Sequence, residues 1–143
     1  TAVSWNDSHY GHPQLTLMPG RGMNMGDGWE TRRRREPGFD WAIVRLGRPG
    51  VVSRLEIDTA HFKGNFPHRC SVDGAYLPDA APASLDSRAM YWETLLVPVE
   101  MQAHMLHTFT ELNALGCISH IKINLHPDGG FSRLRAFGSP SKD

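Results

Sequence analysis

The stretch DWAIVRLGRPGVVSRLEID, residues 40–58, decides the fold. In an extended strand over residues 40–47, Trp41 and Ile43 share one face while Ala42, Val44 and Leu46 share the other. Residues 54–58 alternate polar and apolar, and this period of two is typical of a β-strand that places one face, here Leu55 and Ile57, in a core. Between the two runs lies Arg48-Pro49-Gly50, a combination that predicts a turn. We therefore expect two neighbouring strands, each with its apolar side chains in the core.

Shorter strands are predicted on both sides of this pair. They cover residues 14–18, 29–34, 70–76, 91–97 (closed by Pro98), 118–125 and 131–137. Residues 78–87 predict a loop and residues 127–130 a hairpin turn, whereas residues 100–115 fit helical and extended spacing alike. Many short strands separated by proline and glycine favour an all-β fold, an antiparallel β-sandwich. We expect one domain over residues 1–138, followed by a flexible tail at residues 139–143.

Composition and charge limit the possible partners. The chain has 143 residues, with 15 lysines and arginines and 15 aspartates and glutamates, so its formal net charge is zero. Long-range attraction to nucleic acid or to an anionic membrane is therefore not expected, and no apolar run approaches the ~20 residues that span a bilayer. Cys70 and Cys117 are too few for a disulfide framework. With no recognisable leader, they favour two reduced thiols in a cytoplasmic protein.

The loop after the second strand is the part of the sequence densest in reactive groups. Residues 58–67, DTAHFKGNFP, place Asp58, His61, Lys63 and Asn65 within eight positions. Histidine titrates near neutral pH, and a carboxylate three residues away can orient it or tune its basicity. The same residues also suit an ordinary polar turn. Taken alone, the loop leaves a turn and an active site equally open.

Two other patterns invite a ligand but favour plainer explanations. The glycines at positions 20, 22, 26 and 28 match neither a dinucleotide fingerprint nor a Walker loop, so we expect a turn or a lid. His9 and His12 are three apart, and a helix would put Glu100, His104, His107 and Glu111 on one face. Because eight histidines produce chance pairs, we predict no metal and no other cofactor.

The four arginines at residues 32–35 have two possible roles. Such a run is most often a solvated charged surface. Its functional alternative is the capture of a carboxylate, because guanidinium groups bind carboxylates in a bidentate manner. No aromatic residues alternate with the arginines to stack bases, which disfavours nucleic acid.

Four stretches of this sequence resemble the allantoicase family. They are NMGDGWETRR (residues 24–33), DWAIVRLG (40–47), DTAHFKGNFP (58–67) and PDGGFSRLR (127–135). Their order and spacing match from about Val3 to Gly138. The resemblance implies an antiparallel jelly roll of the galactose-binding-like kind, and hydrolysis of allantoate to ureidoglycolate and urea in purine degradation. The family normally carries two such repeats in one chain, and this sequence resembles the second, so a second repeat or a homo-oligomer is the expected partner.

Chemistry assigns roles within that resemblance. His61 or Glu30 is expected to protonate the departing urea nitrogen, and Asp58 or Glu30 to activate water or orient His61. A nearby carboxylate would stabilise the iminium-like carbon that urea leaves behind. The expected substrate-binding residues are Trp29 as a wall against water, Arg32, Arg33 or Arg133 as the carboxylate clamp, and Lys63 and Asn65 as hydrogen-bond donors to the ureido oxygens.

Two other functions remain open. The chain would alternatively be a non-catalytic galactose-binding-like module that binds carbohydrate or a protein partner. It would otherwise be an inactive relative retained for assembly. Urea release from allantoate separates both from the enzyme.

Overall fold

The computed structural model describes residues 1–82, 84–85 and 92–141. Its strands are β1 (Ala2–Trp5), β2 (Tyr10–Gly11), β3 (Trp29–Glu30), β4 (Asp40–Asp58), β5 (Arg69–Ala75), β6 (Glu93–Glu100), β7 (Leu106–Phe109), β8 (Ile118–His126), β9 (Gly130–Phe131) and β10 (Arg133–Pro140). A 3-10 helix covers Pro13–Leu17. Every strand pairing among these residues is antiparallel, which confirms the predicted fold class.

The long strand β4 joins the two layers of the sandwich. Its first half pairs with β1 and β8, and β8 continues through β5 to β6. Its second half pairs with β10 on one side and with β7 on the other. A separate small sheet, β2-β3-β9, lies where β8 leads into β10.

The turn predicted at Arg48-Pro49-Gly50 is wrong, because β4 runs through these residues without reversing. The register against β8 shifts between Arg45 and Gly50, so the extra residues form a bulge. Gly50 is opposite Ile118 on one side and Pro140 on the other. A bulge leaves residues without ladder partners, so it accepts a proline that has no N–H to donate.

Several shorter elements also differ from the prediction. Residues 14–18 lie largely in the 3-10 helix, whose first amide is capped by the His12 ring. Pro98 lies inside β6 rather than at its end. It is tolerated there because β6 is an edge strand, and its register against β5 shifts between Cys70 and Val72. Only Trp29 and Glu30 of residues 29–34 form a strand.

The structure also corrects the predicted bounds of other segments. Residues 106–109 are a strand, so the helical alternative for residues 100–115 is wrong. Residues 82, 84 and 85 have helical backbone where a loop was predicted, while residues 83 and 86–91, including Tyr91 of a predicted strand, lie outside the described residues. The last strand runs to Pro140, two residues beyond the predicted domain end.

The main core lies between the two halves of the sandwich. It contains Ala42 and Val44 from the first half of β4, and Leu55 and Ile57 from the second, where the alternation predicted core positions. Other strands contribute further core residues, among them Trp29, Val72, Leu95, Leu96, Ile121, Ile123, Leu125, Phe131 and Leu134. A second, smaller cluster joins Ile43 to Leu85 on the opposite face of β4.

Strand β8 is buried on both faces, including the face that carries its polar residues. His120, Lys122 and Asn124 are at most 8% exposed. The Lys122 ammonium lies 5.1 Å from the Phe39 ring centre, and Asn124 donates to a carboxylate oxygen of Asp73 at 3.0 Å. Burial is the main cause that lowers the pKa of both His120 and Lys122. The small cluster and these polar contacts together cover this face of the central strand.

Acid should destabilise the chain through His120. Its pKa in the folded state is lowered, so the unfolded chain binds the proton more tightly, and stability falls as the pH drops below the ordinary histidine value of about 6.5. The melting temperature of the wild type should therefore decrease from about pH 7.5 to pH 5, and this decrease should be smaller in His120→Gln. The exposed His68 provides the control, since His68→Gln should keep the wild-type pH dependence. An unchanged slope in His120→Gln would contradict the assignment.

Close approach of β10 to β4 requires glycine at position 138. An added Cβ would overlap the backbone carbonyl of Val51, at the register shift between the two strands. Gly138→Ala should lower the free energy of unfolding by about 1–3 kcal/mol, the usual cost of overpacking. Gly47→Ala, on β4 with open space around it, should change stability by less than about 1 kcal/mol in the same chemical denaturation experiment.

Candidate active site

The stretches that looked most chemically active in the sequence meet at one end of the sandwich. Glu30 of β3 is opposite Gly130 of β9. The Gly130 amide donates to the carbonyl of Asn65 at 2.9 Å, and the Ser132 amide donates to the carbonyl of Asp58 at 2.8 Å. Backbone hydrogen bonds therefore fix the arginine-rich segment, the loop after β4 and the β8–β10 connection against one another.

The loop after β4 is a tight turn that presents His61. The Asp58 carboxylate accepts from the amide of Ala60 at 2.9 Å, and the Phe62 amide donates to the carbonyl of Thr59 at 2.8 Å. Phe62 is fully buried and anchors the turn. His61, between the two anchors, has a φ of 74°, a left-handed conformation that is uncommon for any residue other than glycine. The residues after β4 therefore form the predicted turn, and their role in a site remains a prediction.

The orientation of the His61 ring comes from the glycine-rich segment. Its Nε2 lies 2.7 Å from the carbonyl oxygen of Gly22. A carbonyl only accepts, so the neutral ring carries its hydrogen on Nε2 and leaves Nδ1 as an acceptor. The Asp58 carboxylate accepts a hydrogen bond from the amide of Ala60 and not from the His61 ring, so in this structure it shapes the turn. Its catalytic role remains a prediction.

Glu30 has an unusual environment for a carboxylate. Its Oε1 is buried, and within the part of the chain that the structure describes it has no hydrogen-bond partner. Burying such an atom unpaired costs free energy, so unpaired groups of this kind call for an explanation such as a catalytic role. The glycine at position 130 makes room for it, because an added Cβ there would lie 2.9 Å from the Glu30 Cβ.

Arg133 holds the glycine-rich segment against the sandwich. Its side chain is only 6% exposed, and it forms an ion pair with Asp27 at 2.8 Å. The same guanidinium donates to the carbonyl oxygens of Gly20 at 3.0 Å and of Asp27 at 2.8 Å. The hydrogen bond from Arg133 is the main cause that lowers the pKa of Asp27. Most of its donors are engaged within the chain, and its role as a carboxylate clamp remains a prediction.

Some side chains of the arginine run form ion pairs and others do not. Arg32 pairs with Asp7 at 2.5 Å and is 64% exposed, and Arg34 pairs with Asp40 at 3.0 Å. Arg33 is exposed and has no ion pair within residues 1–82, 84–85 and 92–141. These side chains line a cavity of about 480 Å³ whose walls carry both signs of charge. Arg35 is also exposed and without an ion pair in the described residues, so Arg33 and Arg35 are the two arginines of the run with the most freedom to bind a carboxylate.

The other predicted binding residues, Lys63, Asn65 and Trp29, range from exposed to fully buried. Lys63 is exposed at the tip of the loop. The Asn65 amide nitrogen lies 3.4 Å from the Met25 sulfur. Trp29 has no exposed surface. Its ring packs edge-on against Phe131 with a centroid distance of 5.9 Å, and its indole N–H donates to the carbonyl of Asp7 at 2.9 Å. Trp29 thus supports the site from the core side.

Within the described ranges, no group of three or more His, Cys, Asp or Glu side chains is arranged to hold a metal ion. The helical face proposed for Glu100, His104, His107 and Glu111 does not exist, because that segment is not helical.

None of the helices in the described part of the chain has the length and apolar character needed to cross a membrane.

The fold and this site define an antiparallel β-sandwich of the galactose-binding-like class, with polar groups assembled at one end. The C-terminal domain of a chitobiase from Bacteroides fragilis shares that fold with a TM-score of 0.72 over 99% of this chain and 95% of that domain, at 11% identity. The family model described as the allantoicase repeat matches residues 1–141. The chain belongs to the allantoicase family.

Closer relatives agree with that assignment. The chain is 58% identical over 137 residues to "Probable allantoicase 2" of Burkholderia pseudomallei, covering 95% of this chain and 41% of the relative. The crystal structure of allantoicase from Saccharomyces cerevisiae superposes with a TM-score of 0.82 at 34% identity, covering 96% of this chain and 39% of that one. The chain thus spans about two fifths of the length of these relatives.

Loss of the Arg133 guanidinium should release the glycine-rich segment. Arg133→Gln removes an ion pair, takes the donor from the carbonyl of Asp27 and leaves the carbonyl of Gly20 with only the longer bond from Arg135, so we expect a loss of at least about 2 kcal/mol in the free energy of unfolding. Amide hydrogen exchange should accelerate in residues 20–28 first. Arg32→Gln, which removes an exposed pair, should cost less than about 1 kcal/mol and leave that exchange unchanged. Equal effects of the two variants would rule out an anchoring role for Arg133.

Proposed function

We propose that this chain is one repeat of an allantoicase, an enzyme that hydrolyses allantoate to ureidoglycolate and urea. Family membership and the printed names of the relatives support this proposal. The observation that carries it is the buried, unpaired carboxylate oxygen of Glu30, in a strand that backbone bonds join to the loop of His61. Such an oxygen can exchange protons or stabilise positive charge once a substrate arrives.

The substrate determines what the site must do. Allantoate is a small carboxylate with two ureido groups on one carbon, so the enzyme must hold the carboxylate, protonate the departing urea nitrogen and supply water. Arg33 or Arg32 is proposed to bind the carboxylate, since both are exposed beside the cavity. Fixing the substrate in this way lowers the barrier by removing orientational freedom.

His61 is proposed to carry the proton. With Nε2 donating to the carbonyl of Gly22, the free Nδ1 can take a proton from water and then deliver it to the urea nitrogen. Departure of urea leaves an iminium-like carbon. The carboxylate of Glu30 is proposed to stabilise that charge and Asp58 to act as the alternative base.

The remaining assignments concern binding. Lys63 and Asn65 are proposed to donate hydrogen bonds to the ureido oxygens, and Arg133 remains a second candidate for the carboxylate. Trp29 is proposed to keep water from the site from its position beneath it. No cofactor takes part in the proposed reaction.

We also propose that the site is completed by a second repeat, in the same polypeptide or in another copy. The chain covers 41% of its relative from Burkholderia pseudomallei, which leaves room for a further repeat in that protein. The present sequence is proposed to correspond to the second of the two. Both cysteines are free thiols, which fits a reducing compartment such as the cytoplasm.

A non-catalytic carbohydrate-binding role has weaker support. The similar structures in that class, such as the lectin domain of lectinolysin complexed with Lewis B antigen, are 11–13% identical, and such a likeness shows the fold alone. Titration with simple sugars, followed by tryptophan fluorescence, would reveal binding. Saturable binding of a sugar together with no urea release would favour this alternative.

Substitution of the proposed acid–base residues should abolish turnover. Glu30→Gln and His61→Ala should each reduce urea release from allantoate by about 10²–10⁴-fold in this chain joined to a second family repeat. Glu111→Gln, at an exposed position in a loop, should keep the wild-type rate. Wild-type rates in both Glu30→Gln and His61→Ala would show that the proposed site is wrong.

The requirement for a second repeat can be tested directly. Light scattering should show whether the chain assembles, and urea release should be measured for the chain alone and after adding a separately purified first repeat. We expect activity only where two repeats associate, because the proposed site is completed by the second repeat. Full activity of a monomer would contradict this part of the proposal.

A further inference from the structure

Two non-glycine residues have left-handed backbone within the described residues, and they contact each other. His61 has a φ of 74° and His104 a φ of 47°. The amide of His61 donates to Nδ1 of His104 at 2.7 Å, and the two rings are 5.6 Å apart. Strained backbone of this kind is unfavourable and persists only where neighbouring structure enforces it.

The turns that carry the two histidines are joined by hydrogen bonds. The amide of Thr59 donates to the carbonyl of Met105 at 3.0 Å, and its hydroxyl donates to the carbonyl of Gln102 at 2.6 Å. The amide of His104 also donates to the carbonyl of Phe62 at 3.2 Å. The turn before β7 and the turn after β4 therefore behave as one unit.

His104 forms two hydrogen bonds with the backbone of the turn that carries His61. The His104 ring accepts from the amide N–H of His61, and the His104 amide donates to the carbonyl of the next residue, Phe62. Since a backbone amide only donates, Nδ1 must be unprotonated and the neutral ring carries its hydrogen on Nε2. The guanidinium of Arg21 lies 3.4 Å from that Nε2. Because both groups are donors in this tautomer, they form no hydrogen bond with each other.

We propose that His104 is a positioning residue for His61, holding its backbone in the left-handed conformation that aims the ring at Gly22. The inference rests on the proposed function for its catalytic consequence. Its structural part is independent of that function, because the bond between the His61 amide and the His104 ring exists without substrate. The ring of His104 is not proposed to touch the reacting atoms.

Three substitutions at position 104 separate the acceptor from the backbone. His104→Gly adopts the left-handed conformation freely but has no acceptor. His104→Asn tolerates that conformation and places a side-chain oxygen close to where Nδ1 lies. His104→Ala lacks the acceptor and also disfavours the conformation. His68→Asn, at an exposed histidine, is the matched control.

The first measurement is nuclear magnetic resonance of the chain. In the wild type, we expect a slowly exchanging His61 amide and a His61 ring with its hydrogen on Nε2. In His104→Gly the amide should exchange at least about 10-fold faster and the ring should lose its single tautomer, while His104→Asn should restore both. Melting temperatures identify any variant that has unfolded.

The second measurement is urea release with a second repeat present. His104→Gly should lower kcat about 10–100-fold with KM changed less than about 2-fold, and His104→Asn should recover most of the rate. Wild-type amide exchange and tautomer in His104→Gly would overturn the inference. So would a wild-type kcat in that variant, even if its amide exchange were faster. Correct amide behaviour with no urea release from the wild type would overturn the proposed function and leave the positioning contact established.

Discussion

The continuity of β4 is the constraint on which the rest of this structure depends. One strand pairs with β1 and β8 through its first half and with β10 and β7 through its second, so both layers of the sandwich share its backbone. The bulge between Arg45 and Gly50 lets it change layers without a break. Its last residue, Asp58, is then held between Arg133 and Leu106 on neighbouring strands, and the site begins there.

Local patterning predicted those parts of the fold that depend on local sequence. Alternation located both halves of β4, the core positions Leu55 and Ile57, and strand β8, because a period of two directly reflects which side chains face a core. It failed at Pro49 and Pro98, where a bulge and an edge position decide whether proline is tolerated. Those properties belong to the pairing of distant strands, which no window of sequence contains.

The candidate site was likewise predicted only in part. The residues predicted for it lie in segments that the structure brings together, because each follows or begins a strand whose position is fixed by the sheet. The partners that orient His61 were not predicted. Gly22 and His104 are about 40 residues away on either side, and their contacts use a backbone carbonyl and a ring nitrogen that carry no sequence signal. Buried Trp29 and the engaged Arg133 show the converse, that conspicuous residues of a motif can support a site from outside it.

Stability and reactivity are separated along β4. The ladder and the apolar core lie along its length, while three costly features lie towards its end: the left-handed backbone of His61, that of His104 and the unpaired oxygen of Glu30. Each such feature costs on the order of 1–3 kcal/mol, which is a substantial part of the 5–15 kcal/mol that stabilises a typical domain. A chain keeps them only if a rigid frame holds them in place. The hydrogen bonds that join the turn of Thr59 to that of Met105 provide that frame, since they connect the strained turns to β4 and β7.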